Sequence, residues 1–214
     1  MAAEAVSEKD SFLYKLAWIL TWVVLHVFMP VRYHGKEKLS EREIPFVVIS
    51  NHLHALDPLI LAYPIKKCQC VFLGKKELAK NRFFRYCLTK VHCILVDRHH
   101  SDMEAMRACM KAIRMNKCLI IFPEGTRHHE GQMEHIETGT SLIVMRSRVP
   151  LVPVYLDRPL KLFRSVNAYI EDPIPYDDLF EKGVNKDTCE ELNRRITETY
   201  QRIIEEKEKN QKKI

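Results

Sequence analysis

The sequence has little glycine and none of the short motifs that mark several common enzyme classes. Only 6 of its 214 residues are glycine, and neither a glycine-rich dinucleotide fingerprint nor a Walker sequence occurs. The nucleophile elbow G-x-S-x-G is also absent, as are internal repeats and low-complexity linkers. These absences argue against P-loop or Rossmann-type nucleotide binding and against repeat architectures.

The chain also lacks a strong charge of one sign. Its 34 basic and 28 acidic residues leave a formal charge of +6, an excess that suits a phosphorylated ligand, an acidic lipid surface or a nucleic acid. We find no recognised nucleic-acid motif and no basic-aromatic face beside this charge. A nucleic-acid partner is therefore not expected.

Metal-ligand spacings are scarce as well. The seven cysteines are odd in number and lie mostly in apolar stretches, which is typical of reduced, buried thiols in a cytosolic protein. Cys68 and Cys70 would share one face of a strand, but no second Cys/His pair stands at zinc-finger spacing. The sequence therefore favours no metal site.

No apolar run is long enough to be a clear membrane span. The longest run without a formal charge, residues 16–31, carries Trp18 and Trp22 but is shorter than the roughly 20 residues that a bilayer core requires. We therefore expect residues 1–34 to be a membrane-associating segment that lies at the interface. A single crossing, with the basic residues just after it keeping the rest cytoplasmic, and a buried core helix are the alternatives.

Two further features bear on location. The leader is acidic, and no small-residue cleavage site follows the apolar run, so secretion is not expected. The expected location is the cytoplasmic face of a membrane, in a peripheral, monotopic or single-pass arrangement.

Strand-like and helix-like segments alternate along residues 35–214, which we expect to form one domain. The strand-like runs are apolar on both faces, a pattern typical of a mostly parallel sheet flanked by helices. The predicted fold class is therefore α/β, with ligands expected at the carboxyl ends of strands. The predicted strands lie within residues 45–50, 68–74, 91–98, 117–125, 151–156 and 166–173. A charged helix with one apolar face is predicted over residues 187–209.

A first polar cluster, "SNHLHALDP" at residues 50–58, follows one predicted strand. Asp57 before Pro58 predicts a helix start with the carboxylate as N-cap. A carboxylate that accepts the Nδ1 proton of a histidine leaves Nε2 as a base. Spacing does not decide whether His52 or His54 is that histidine, and two loop histidines beside an unrelated cap remain an alternative.

A second polar cluster, "FPEGTR" at residues 122–127, follows another strand. Gly125 and Thr126 allow close approach of backbone to a ligand, and the guanidinium of Arg127 suits a phosphate. Glu124 could orient Arg127 or hold a substrate hydroxyl. A surface turn with an internal ion pair is the alternative.

These residues carry a resemblance to the glycerolipid acyltransferases. Residues 51–57 match the family's NHxxxxD signature, and residues 122–127 match its FPEGTR signature. Residues 94–98 and 149–156 resemble two further family blocks, in the same order. The chain looks most like the branch that acylates 1-acylglycerol 3-phosphate. It departs from the pattern at His92, where glycine is common, and at His128, where serine is usual.

The resemblance implies an assignment of the catalytic residues. It makes His52 the base and Asp57 its orienting carboxylate, and it leaves His54 in the variable part of the signature. The implied reaction moves a fatty acyl group from acyl-CoA or acyl carrier protein to the sn-2 hydroxyl of lysophosphatidic acid, which gives phosphatidic acid. No cofactor and no enzyme nucleophile is implied.

The resemblance also implies a set of substrate-binding residues. Arg127 and Arg98 are expected to hold the substrate phosphate, with Lys75 as a further candidate. Glu124, Gly125 and Thr126 are expected to shape the floor of the pocket. The alternatives are a related enzyme that acts on glycerol 3-phosphate or another lysophospholipid, and a catalytically silent membrane-binding module.

Overall fold

The computed structural model describes residues 12–79, 81–97, 102–127, 133 and 136–211. The predicted α/β class is confirmed by a seven-stranded sheet with helices on both faces. The strands are β1 (Val31–His34), β2 (Val47–Ser50), β3 (Cys70–Lys75), β4 (Cys93–Val96), β5 (Cys118–Ile121), β6 (Leu151–Leu156) and β7 (Val166–Ile170). The helices are α1 (Phe12–Val23), α2 (Glu37–Ser40), α3 (Asp57–Ala62), α4 (Arg82–Lys90), α5 (Met103–Arg114), α6 (Thr138–Ser147) and α7 (Lys186–Gln211).

The sheet has the strand order β1-β7-β6-β2-β5-β3-β4. From β6 through β2, β5 and β3 to β4 each adjacent pair is parallel, whereas β6 and β7 pair antiparallel. All six predicted strands are present. The sequence did not predict β1, which pairs parallel with β7. The boundary drawn at residue 34 stays a prediction, although β1 lies before it and belongs to the sheet.

Two apolar cores cover the sheet, because the central strands are apolar on both faces. Strand β2 illustrates the pattern: Val47 and Ile49 face one core, and Phe46 and Val48 face the other. Helices α5, α6 and α7 pack on the first core, and α1 and α3 pack on the second. The predicted apolar face of α7 is confirmed, since its residues Leu192, Ile196, Tyr200 and Ile203 are buried.

Helix α1 lies on the domain through one face only. Tyr14, Thr21 and Leu25 are buried, with Leu25 in the π-helical turn (Val24–Phe28) that extends α1. On the opposite face Ile19, Leu20 and Trp22 are exposed. The apolar residues therefore do surround the helix, as predicted, but a stripe of them packs against the protein.

No helix among the described residues is long and apolar enough to cross a membrane. Helix α1 and its π-helical turn end at Phe28, and β1 begins three residues later. At a rise of about 1.5 Å per residue these 17 residues reach roughly 25 Å, short of the roughly 30 Å hydrocarbon core. The single-pass alternative is therefore not supported by the described part of the chain.

The backbone conformation of His92 explains why glycine is common at this position in the family that the sequence resembles. His92 has a φ of 63°, in the left-handed region that glycine adopts at least cost. Its ring packs against Tyr14 of α1 and its Nε2 lies 2.7 Å from Nε2 of Gln69. These contacts hold a histidine in the conformation that would otherwise favour glycine.

Replacing Gly35 with alanine is expected to destabilise the fold. Gly35 has a φ of 77°, and a Cβ there would lie 2.6 Å from the carbonyl oxygen of Ile170 at the end of β7. Backbone cannot give way cheaply, so we expect a loss of about 2–4 kcal/mol from strain and clash together. Thermal unfolding should then show a fall in Tm of about 4–16 °C.

Gly183→Ala is the matched control. Gly183 has a φ of 73°, yet a Cβ there would meet no atom within 4 Å. Its ψ of 178° places it in a region that is essentially restricted to glycine, so its substitution should cost about 1–3 kcal/mol of backbone strain without a clash. A fall in Tm of Gly35→Ala smaller than that of Gly183→Ala would contradict the predicted cost of the contact with Ile170.

Candidate active site

The turn between β2 and α3 is anchored from below by two side chains. Asn51 exchanges two hydrogen bonds with the backbone of Leu156, since its Nδ2 donates to the carbonyl and its Oδ1 accepts from the amide, both at 2.9 Å. The buried Tyr200 hydroxyl lies 2.9 Å from the Ile49 carbonyl and 3.1 Å from the Val154 carbonyl. Burial raises the pKa of Tyr200 well above its ordinary value, so the hydroxyl stays a donor. The end of β2 is thereby locked to β6.

Asp57 organises the turn through a single carboxylate oxygen. Its Oδ2 accepts from the backbone amides of Leu53 and His54, each at 2.7 Å, and lies 3.0 Å from Nδ1 of His52. The Asp57 side chain is only 1% exposed. A carboxylate can only accept, so Nδ1 of His52 is the donor and Nε2 is the nitrogen left for other partners.

The predicted N-cap role of Asp57 is wrong. Asp57 is the first residue of α3, and the residue before the helix, Leu56, makes no side-chain capping bond. The carboxylate of Asp57 points back to the turn because three donors converge on it there. Pro58 follows in the first helical turn, as predicted.

The structure pairs His52, and not His54, with Asp57. His54 turns its ring to its own loop, where Nδ1 accepts from the backbone amide of Leu56 at 3.2 Å. His52 lines a cavity, and His54 does not. The geometry therefore resolves the choice that spacing left open.

The second polar turn stands beside His52 because β5 is the neighbour of β2 in the sheet. Phe122 stacks on the His52 ring with centroids 4.0 Å apart and planes at 26°. The amide of Gly125 donates to the Phe122 carbonyl at 3.1 Å, and Gly125 has a φ of 71°. Glycine is required at this position of the turn. The sequence analysis treated Phe122 only as part of a signature. Its position directly after a predicted strand was the signal that it could lie close to His52, which also follows a strand.

Glu124 is buried beneath the histidine turn. Its Oε2 lies 3.4 Å from the backbone amide of His52, and the residue is 3% exposed. It does not line the cavity. The geometry therefore adds support of the His52 backbone to the roles of Glu124, and its predicted contact with Arg127 or a substrate hydroxyl stays a prediction.

The remaining candidate residues converge on one cavity of about 870 Å³. His52, Lys75, Gly125, Thr126 and Arg127 all line it. Its volume lies within the range of about 300–1,000 Å³ that is usual for ligand sites. The cavity thus joins a candidate base to two cationic side chains. Arg98, the other predicted phosphate ligand, lies outside the described residues.

Much of the cavity wall is apolar, and part of it comes from the N-terminal segment. Tyr14, Trp18 and Thr21 of α1 line it, together with Leu88 of α4 and Val91 just after that helix. The sequence analysis favoured the membrane for this segment and kept a buried core helix as an alternative. The spacing of residues 14, 18, 21 and 25 was the signal for a packed face that it missed.

A cysteine also reaches the cavity wall without the character of a nucleophile. Burial raises the pKa of the Cys93 thiol to about 12. Because the thiolate is the reactive form, Cys93 is inert at neutral pH.

Comparison with known proteins agrees with this geometry. The model of the Acyltransferase family matches residues 30–157. The 1-acyl-sn-glycerol-3-phosphate acyltransferase of Streptococcus pneumoniae (strain ATCC BAA-255 / R6) is 27% identical over 180 residues, which are 81% of this chain and 66% of that protein. The Bacillus subtilis (strain 168) protein of the same name is 28% identical over 69% of this chain and 72% of its own length.

A solved structure has the same fold. The 1-acyl-sn-glycerophosphate (LPA) acyltransferase PlsC from Thermotoga maritima superposes with a TM-score of 0.61 at 21% identity, over 91% of this chain and 76% of that chain. The chain spans just under two thirds of the length of the S. pneumoniae relative. The family match covers more than half of the chain and includes both polar turns, so this chain belongs to the Acyltransferase family.

Proposed function

We propose that this chain transfers a fatty acyl group from a thioester, on coenzyme A or acyl carrier protein, to the sn-2 hydroxyl of lysophosphatidic acid. The observation that carries the proposal is the His52–Asp57 pair at the wall of a cavity that also presents Arg127. The names of the relatives from S. pneumoniae and B. subtilis support the same acceptor. The product is phosphatidic acid.

The reaction needs one base and no covalent intermediate. Nε2 of His52 takes the proton of the acceptor hydroxyl as its oxygen attacks the thioester carbonyl carbon. When the tetrahedral intermediate collapses, the C–S bond breaks and the imidazolium returns the proton to the leaving thiolate. Asp57 keeps Nδ1 protonated and stabilises the imidazolium between these steps, without taking a proton itself.

Arg127 and Lys75 are proposed to bind the acceptor phosphate, and Arg98 is kept as a third candidate. A guanidinium binds phosphate through two parallel hydrogen bonds, whereas an ammonium acts as a point charge. Arg127 is exposed at the edge of the cavity, where a phosphate can stay partly in water. Gly125 and Thr126 complete this side of the pocket.

The enzyme is proposed to work while docked on the cytoplasmic face of a membrane through α1. Three apolar residues of α1, Ile19, Leu20 and Trp22, are more than half exposed. Such a helix lies in the interface with its apolar face toward the acyl chains. Its inner face lines the cavity, so an acyl chain could pass from the leaflet to the base along one helix.

The first test is turnover of acyl-CoA by the purified chain with a panel of acceptors. Lysophosphatidic acid, glycerol 3-phosphate and lysophosphatidylcholine should be compared, with products identified by mass. We expect lysophosphatidic acid to be the preferred acceptor. Preference for glycerol 3-phosphate or for the choline headgroup would indicate a related acyltransferase activity. Absence of transfer to any acceptor would favour a catalytically silent membrane-binding module.

His52→Ala is expected to lower kcat by about 10²–10⁴-fold, because general-base catalysis contributes about that much. The side chain lies at the cavity wall and is 17% exposed, so the fold should persist, as a melting curve would check. His54→Ala is the matched control, because its ring accepts a hydrogen bond from its own loop and is not among the residues that line the cavity. Near-normal turnover of His52→Ala, or an equal loss in both variants, would contradict the assignment.

Arg127→Ala is expected to raise the KM for the phosphorylated acceptor by about tenfold or more, with a smaller change in kcat. A phosphate anchor contributes equally to the ground state and the transition state, so its loss weakens binding. Arg127→Lys should recover part of the affinity, since it keeps the charge but loses the paired donors. An unchanged KM for the acceptor in Arg127→Ala would show that the phosphate binds to other residues.

A further inference from the structure

Helix α4 exposes an unusual set of large side chains. Phe83, Phe84 and Tyr86 are 68%, 59% and 55% exposed, and no residue of α4 is buried. Leu78, in the 3-10 turn just before it, is half exposed. Contiguous exposed apolar groups of this size mark an interaction site.

Cationic side chains interleave with these aromatic rings. Arg82 and Arg85 are exposed between them, and the ammonium of Lys90 lies 5.4 Å from the Tyr86 ring centroid. Residues 76–90 carry five basic residues and one acidic residue. We call Leu78 and the exposed residues 82–86 the α4 surface. It is a basic-aromatic face that the sequence analysis did not recognise, because exposure of the phenylalanines could not be read from the letters.

The α4 surface is continuous with the features that the proposed function uses. Helix α4 contacts α1, whose outer face exposes Ile19 and Leu20. Leu78 and Leu88 also line the cavity that holds His52. The two exposed apolar faces therefore flank one cavity.

We infer that the α4 surface is a second membrane-docking element, and that its partner is a bilayer rich in anionic lipid headgroups. The inference rests on the proposed function and deepens it by adding a charge preference and an orientation. Aromatic rings favour the headgroup zone, and each basic residue near an anionic leaflet adds attraction. Docking through α1 and α4 together would hold the cavity against the leaflet.

A bilayer fits the α4 surface better than a nucleic acid or a second copy of the chain. A nucleic acid would use the cations and rings of α4 but would leave the apolar face of α1 in water. The net positive charge of residues 76–90 would repel an identical surface. An anionic bilayer satisfies the cations, the rings and the aliphatic side chains at once.

The test is flotation of the full chain with vesicles of phosphatidylcholine, with and without phosphatidylglycerol. Phe83→Ser/Phe84→Ser should lower the partition coefficient on both kinds of vesicle. Arg82→Glu/Arg85→Glu should lower it on the anionic vesicles by about tenfold or more, since it reverses two charges at the surface. The effect of the arginine pair should shrink at high salt, because surface charges are then screened.

Lys182→Glu/Lys186→Glu is the charge-matched control. Both lysines are exposed. Lys182 ends the 3-10 turn before α7, and Lys186 begins α7, which packs on the other face of the sheet. This variant should float like the wild type, whereas Ile19→Ser/Leu20→Ser on α1 should float less. Flotation of both α4 variants at the wild-type level would overturn the inference.

Two further measurements distinguish the other occupants. If Phe83→Ser/Phe84→Ser converts a dimer to a monomer in sedimentation and leaves flotation unchanged, the surface belongs to a second copy. If Arg82→Glu/Arg85→Glu loses binding of a single-stranded oligonucleotide and keeps flotation, the partner is a nucleic acid. Either result would overturn a docking role.

Failure of docking and failure of the proposed function remain separable. The four α4 positions are exposed and do not line the cavity, so the variants should fold. Arg85 also donates to the Ala79 carbonyl at 3.2 and 3.3 Å, so Arg82→Glu alone, which keeps these bonds, is measured beside the arginine pair and should melt like the wild type. The variants should also keep turnover with a short-chain, soluble acceptor measured without vesicles. If the wild type itself acylates no acceptor, the proposed function fails, while the flotation results still decide the role of α4.

Discussion

The parallel pairing of β2 with β5 is the constraint on which the site depends. It sets Ile49 opposite Ile121, so the two polar turns that follow leave the sheet side by side. Phe122 then stacks on His52, and Glu124 reaches the His52 amide. Because parallel strands end at the same edge, a sequence separation of some 70 residues becomes direct contact. A slip of one residue in either strand would turn one of these side chains to the opposite face.

The site is rigid because backbone groups as well as side chains form the hydrogen bonds that hold it. The carboxylate of Asp57 accepts hydrogen bonds from two backbone amides besides the His52 ring, so the oxygen that orients the ring also shapes the turn. Asn51 and Tyr200 tie the same strand end to β6 and α7. These supports restrict the movement of the imidazole, which in the proposed reaction would lower the reorganisation needed when it accepts a proton.

Six of the strands and both polar turns could be predicted from the sequence, because buried β-branched runs and the residues after them are local signals. Strand β1 could not be predicted, because it has only four residues, two of them exposed. It is recognised by its pairing with β7, some 130 residues away. The orientations of the Asp57 and Glu124 side chains could not be predicted from the sequence either. Whether a carboxylate caps a helix or turns back depends on which donors the folded chain brings near, and spacing contains no such information.

The N-terminal helix shows why a segment can have two functions that its composition suggests only in part. An apolar helix placed wholly in lipid would need no polar contact with the domain, yet the Tyr14 hydroxyl accepts from the Cys70 amide and its ring packs on His92. Trp18 of the same face lines the cavity. Because one face is bound to the domain and lines the cavity while the other is left apolar and exposed, the helix joins the cavity to an apolar outer surface. In the proposed reaction, an acyl chain that followed this helix would stay in contact with apolar side chains and would not need to cross water.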